Sequence, residues 1–421
     1  MSRHGQAESS SQEQAWREGG AWWRPALAMF AVGYGANQFV PLLAVYRRTL
    51  GLSDAQATAI FGVYALGLIP GLLIGGRASD RYGRRPLLLA FAALSLVATA
   101  VLITGERGPA GLYAGRLLTG VVSGTVFTVG TAWVKELSSD TPGGGARRAA
   151  IALTAGFGVG PLVAGLLAQW APAPEVLPYL VHLVLAGTAL TVLPETRPAQ
   201  PATAPRPRLL PASLSSPRFR RLVLPLGPLV FGSVTLVFTT LPAHGDRPVP
   251  GLGVALPGLL AAASLAAGYV VQPWGRRLHA RSSHSGAGPA AVALTVVTAG
   301  CLAGAVATAH PGLLAVTVAA LLLGAGYGLC LIVGLREVEQ LADADELGAV
   351  VAVFYSLAYS GLAVPYLLSL VAPHVGYPAA LLATAGAAAL TLLVVLLGAP
   401  QRPPSARAAA ERRAANRLRR P

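Results

Sequence analysis

One carboxylate stands among four arginines in Gly76-Arg77-Ala78-Ser79-Asp80-Arg81-Tyr82-Gly83-Arg84-Arg85-Pro86. That spacing suits charge-assisted hydrogen bonds in a tight connector with glycine at both ends. Arg116 is different, being the one basic residue set inside an apolar run. Arginine at mid-membrane costs about 2.5–3.5 kcal/mol, so it either faces protein or a watery cavity, or snorkels to the headgroups. Asn37 and Gln38 are adjacent amides in a second apolar run. They need hydrogen-bond partners, supplied by a cavity with substrate or water or by a neighbouring helix. Tyr34, Tyr64, Tyr327, Tyr355 and Tyr359 add polar rings at similar depth, Tyr355 and Tyr359 lying one helical turn apart on a shared face. Candidates for carrying a proton are Asp54, Asp80, Glu136 and His182, although an apolar-run histidine also serves as a buried packing residue. No acidic residue falls clearly in the middle third of an apolar run.

Catalytic constellations are missing: there is no nucleotide-binding glycine loop, no H-E-x-x-H and no serine-histidine-aspartate set. An enzyme, an ATP-driven pump and a cofactor site are therefore not expected. Cys301 and Cys330 both lie in apolar runs and offer neither a disulfide framework nor a metal-ligand spacing.

The elements that position these residues follow from composition. Of 421 residues, 54% are hydrophobic and 12% charged, half the charged share of a typical soluble domain, about 25%. At roughly 20 apolar residues per crossing this supplies about a dozen spans. The runs fall at residues 25–46, 55–76, 86–104, 109–134, 149–170 and 177–193, then 222–243, 251–272, 289–308, 311–334, 347–371 and 376–398. Such lengths are helices, since barrel strands alternate over only about 10 residues. Arginine and lysine in the connectors split 27 to 4 between the two sides. By the positive-inside bias, both termini and the middle connector are expected in the cytoplasm. The net charge of +15 follows that periodic pattern rather than one basic face, which argues against nucleic acid as a partner.

The two halves resemble one another. Gly120 and Gly124 recur as Gly324 and Gly328, Pro161 recurs as Pro365, and Gly83-Arg84-Arg85 recurs as Gly275-Arg276-Arg277. The expected organisation is a polar tail over 1–23, a six-helix bundle over 24–193, and a proline- and arginine-rich linker over 194–221. A second six-helix bundle over 222–398 and a basic tail over 399–421 complete it. The linker is expected to be extended, and the tail either a surface helix on anionic lipid or a solvated segment.

The 76–86 connector resembles the signature loop of the major facilitator superfamily of secondary transporters, G-x3-D-[RK]-x-G-[RK]-[RK], at every position. Arg116, Gly120 and Gly124 resemble the superfamily's second motif. Gly156-x3-Gly160-Pro161-x2-Ala164-Gly165 is similar to its exporter motif, with Ala164 in place of one glycine. The resemblance implies an all-α polytopic membrane protein of twelve helices in two pseudo-symmetric six-helix bundles. It further implies a central site reached alternately from either side, with Tyr34, Asn37, Gln38, Tyr64, Arg116, Tyr327, Tyr355 and Tyr359 as substrate contacts. Asp80 would sit against the amino end of span eleven, near Glu346 to Ala349, and Arg84 would pair with Glu136, latching the inner face. Gly76, Arg81, Gly83 and Arg85 would shape that latch, and Gly156, Gly160, Pro161 and Gly165 the helix packing that moves with it. The expected activity is proton-coupled export of a small amphipathic molecule by a monomer in the plasma membrane. Uptake of a sugar or other metabolite is the alternative, and a non-transporting membrane sensor the remote one.

Overall fold

Every apolar run is helical, the conformation that pairs each backbone N–H and C=O within its own segment. The computed structural model describes residues 21–138, 143–196, 211–245, 250–282, 287–343 and 346–398. Its long helices are α1 (Trp23–Thr49), α2 (Asp54–Tyr82), α3 (Arg84–Arg107), α4 (Pro109–Glu136), α5 (Gly144–Trp170) and α6 (Leu177–Val192) in the first half. The second half supplies α7 (Phe219–His244), α8 (Ala255–Arg281), α9 (Ala287–Ala309), α10 (Leu313–Leu341), α11 (Leu347–Val375) and α12 (Tyr377–Leu397). Eleven of them are long and apolar enough to cross a bilayer; α6, with 16 residues, is shorter.

Boundaries shift slightly from those expected. α7 opens three residues early in a π-helical turn, Phe219–Val223, which takes the last residues assigned to the linker. Half of the linker (197–210), the basic tail and nearly all of the N-terminal tail lie outside the described residues.

The halves repeat one packing scheme. α2 lies along α4, α3 along α4 and α1 along α5, and adding six to each number gives the pairs α8–α10, α9–α10 and α7–α11. Glycine explains the first pair in both halves. A Cβ on Gly120 or Gly124 would collide with the Tyr64 or Leu68 carbonyl of α2, and on Gly324 or Gly328 with that of Ser264 or Gly268 of α8. Small residues thus let backbones touch where lipid provides no hydrophobic drive.

Proline interrupts two of the helices that border the centre. Pro41 has no N–H to give the Asn37 carbonyl, and α1 breaks at Gln38. α11 narrows to a 3-10 turn at Gly361–Ala363, just before Pro365. In α5, which runs unbroken through its proline, Pro161 leaves the Phe157 carbonyl without a helical donor, and the Asn37 amide donates to it at 3.3 Å.

The halves meet along two seams, α5 with α8 and α2 with α11. Adding six exchanges one seam for the other, as expected of a pseudo-two-fold arrangement.

Candidate functional site

The described polar contacts between the halves gather at the arginine-poor end. Asp54, at the start of α2, receives Arg47 of α1 at 2.8 Å from the same half. From the other half, the Tyr377 hydroxyl donates to it at 2.8 Å, and His244 Nε2 lies 3.0 Å away, its ring stacked on Tyr377. One turn deeper, the Thr58 and Ser369 hydroxyls share a hydrogen bond of 3.0 Å. On the second seam Gln169 Oε1 accepts the Val254 and Ala255 N–H groups, capping α8 from the opposite half. There Gly165 lies against Gly258, and a Cβ at Gly258 would strike the Pro161 carbonyl.

Below this closure lies a small cavity between the halves. Phe61 and Phe238, one from each half, meet edge to face over it at 6.2 Å. The first half contributes Asn37, Tyr64, Arg116 and Phe157. The second contributes Phe231, Val234, Thr235, Leu265, Tyr359 and Leu362, with Phe231 stacked on Tyr359 at 4.2 Å.

Arg116 is only 1% exposed. It donates through Nη1 to the Ala36 carbonyl beside the break in α1, at 2.8 Å, and through Nη2 to the Phe61 carbonyl, at 3.3 Å. Its guanidinium carbon lies 4.9, 5.4 and 4.5 Å from the ring centres of Phe39, Phe61 and Tyr64. These rings supply cation–π attraction. Nε has no acceptor. The snorkelling alternative is thereby removed: the side chain points into the protein.

Of the eight substrate contacts expected from sequence, Asn37, Tyr64, Arg116 and Tyr359 line the cavity. Tyr34 and Gln38 are buried elsewhere in the first half, with the Tyr34 hydroxyl and both Gln38 amide atoms unpartnered. Tyr327 stands behind Phe231, and Tyr355 stacks on the far side of Tyr359. Both form a second aromatic layer.

At the arginine-rich end the polar contacts of Arg84 and Arg218 among the described residues each pair groups within one half. Arg84 bonds Asp80 at 2.8 Å, Glu136 at 3.1 Å, and the Ser79 hydroxyl. Gly83 turns the connector at φ +89°, a conformation that favours glycine. Arg81 covers the Tyr82 ring, and a Cβ at Gly76 would meet the Thr128 side chain of α4 at ordinary contact distance. Asp80 does not meet the amino end of α11, contrary to expectation. Glu346, at that end, accepts instead from the Ala212 and Ser213 N–H groups and the Ser213 hydroxyl. The second half has its own version of the cluster, in which Arg218 bonds the buried Glu337 at 2.7 Å and Gln340 at 2.9 Å.

His182 is buried inside the first half, its Nδ1 2.8 Å from the Thr99 hydroxyl and its ring against Gly35. It lies away from the central cavity. Among the described residues no cluster of histidine, cysteine or carboxylate ligands could hold a metal ion.

The family model of the Major Facilitator Superfamily matches residues 26–365. This chain belongs to that superfamily. Among relatives, this superfamily chain is 30% identical over 189 residues to the multidrug resistance protein MdtL of Escherichia coli O9:H4 (strain HS), and equally to MdtL of Shigella flexneri. Each match covers 41% of this chain and 45% of the relative, so it spans less than half of MdtL. Among solved structures it is similar to a POT family transporter in complex with 5-aminolevulinic acid. There the TM-score is 0.75 at 14% identity, covering 91% of this chain and 96% of that one. The nucleoside transporter NupG gives a TM-score of 0.71 at 11% identity, covering 90% and 99%. At these identities the likeness is one of fold. Family and fold alike are those of multi-pass membrane transporters.

Apart from Tyr359, the second-half lining of this Major Facilitator Superfamily cavity was not legible in the sequence. Phe231, Phe238, Leu265 and Leu362 sit in runs that are apolar on every side, so nothing in the spacing separates a cavity-facing residue from a lipid-facing one. Gln169 did carry a signal, as the lone amide near the end of span five.

Proposed function

We propose that this transporter exports a small amphipathic molecule by alternating access, working as a monomer in the plasma membrane with its arginine-rich face in the cytoplasm. One observation carries the reading: a central cavity lies between two pseudo-symmetric bundles, and the inter-half hydrogen bonds close it at the arginine-poor end. In this conformation the outer gate is shut. Rocking about the two seams would break those contacts and bring Asp80, Arg84 and Glu136 toward α11. The sequence relation to a multidrug resistance protein favours export over uptake.

Proton coupling is part of the proposal. Of the four candidate carriers, Asp54 alone touches the opposite half, through Tyr377 and His244. Protonating its carboxylate weakens three contacts at once and so loosens the outer gate, linking proton uptake from outside to opening. Purified protein in vesicles, given an imposed pH gradient and a panel of drug-like compounds and metabolites, tests this. Substrate-dependent proton movement that Asp54→Asn abolishes is the expected result. Substrate movement indifferent to the gradient, in wild type and variant alike, would end the coupled reading.

A further inference from the structure

We infer that the central cavity selects an amphipathic monoanion, its charged group seated at Arg116 and an aromatic or apolar body lying against α7 and α11. The inference deepens the export reading and rests on it for the cavity's role. The first observation is electrostatic. Arg116 is fully buried, roughly 10 Å from the end of its helix. No carboxylate pairs with it, for its described partners are two backbone carbonyls and three neutral rings. The described acidic side chains sit at or near helix ends. An uncompensated charge at such a place is strongly unfavourable. Cation–π contacts offset part of that cost but leave the net charge standing. A bound anion would neutralise it, and Nε, without an acceptor, is a donor ready to use.

The second observation is the asymmetry of the walls. Charge is confined to the first half, where Arg116 and Asn37 stand beside Phe61, Tyr64 and Phe157; the second half presents Phe231, Val234, Phe238 and Leu362 and no charge, its polar groups being the hydroxyls of Thr235 and Tyr359. A molecule with one charged end and a ring satisfies both. A cationic amphipath would meet Arg116 across a low-dielectric space with no carboxylate to receive it.

Three isosteric probes test the inference on the purified full chain: 4-phenylbutyrate, 4-phenylbutanol and 4-phenylbutylamine, with chloride as an inorganic control. Ligand-induced rise in thermal stability reports binding. Phenylbutyrate is expected to stabilise the wild type more than either isostere or chloride. In Arg116→Gln its apparent affinity is expected to fall by at least about tenfold, while Arg116→Lys keeps part of it; this second variant separates loss of charge from loss of fold. Three results would overturn the inference: equal or greater stabilisation by the amine, stabilisation by chloride alone, or none by any probe. Undiminished phenylbutyrate binding in Arg116→Gln would do so too. Vesicle uptake separates the two readings. Phenylbutyrate that binds through Arg116 while no compound crosses would leave the anion site and remove transport. Movement of the amine alone would keep transport and remove the anion site.

Discussion

Asn37 and Pro161 form a small device: the proline strands the Phe157 carbonyl, and the amide from α1 supplies the missing donor. Asn37→Ala leaves that carbonyl unpaired and is expected to cost about 1–3 kcal/mol of stability. Pro161→Ala restores a helical N–H, so the double variant is expected to lose less than the two single losses combined. Thermal unfolding of the four proteins in detergent forms the cycle, and simple additivity would dissolve the proposed link. Polar residues in apolar runs stand out in a sequence, which is why Asn37, Tyr64, Arg116 and Tyr359 were legible. Gln38 shows the limit of that signal. It follows Asn37 by one residue, and on a helix that step turns about 100° and carries it to another face, where it is buried away from the cavity.

Among the helices, the repeat was readable because close backbone approach demands glycine at matching positions in both halves. Gly120 and Gly124 press on α2 as Gly324 and Gly328 press on α8. The partner of the Asp80 loop was not readable. Under the proposed alternating access, which helices touch at each end would depend on how far the bundles have rocked, and one sequence would serve every stage of that motion. Gly258 sits on the seam between α5 and α8, with Gly165 and the Pro161 carbonyl opposite. Gly258→Leu is expected to hold α5 and α8 apart at the arginine-poor end. A thiol reagent unable to cross membranes, applied outside to a Thr235→Cys reporter in the cavity, would then react several-fold faster than without the leucine. An unchanged rate would show that the seam does not gate the cavity.

Three features meet in the whole molecule: bundles related by a pseudo-two-fold axis, a cation without a carboxylate partner at their interface, and, among the described residues, bonds that cross between the halves at one end only. Composition and periodicity revealed the membrane class, the twelve helices and the division in two. The closed end had to come from the structure, since Asp54, His244 and Tyr377 stand far apart along the chain and share no motif. Asp54→Asn removes the ion pair with Arg47 and weakens the contacts to His244 and Tyr377. It is expected to raise outside labelling of the same Thr235→Cys reporter while leaving the fold intact.

Thr58 and Ser369 offer the most direct test, because their hydroxyls touch across the closed end at 3.0 Å. In a background lacking Cys301 and Cys330, Thr58→Cys and Ser369→Cys together should form a cross-link on oxidation. Transport in vesicles is then expected to stop and to return on reduction, while each single replacement works throughout. Full turnover with the cross-link in place would contradict an opening at this end and, with it, alternating access by this protein.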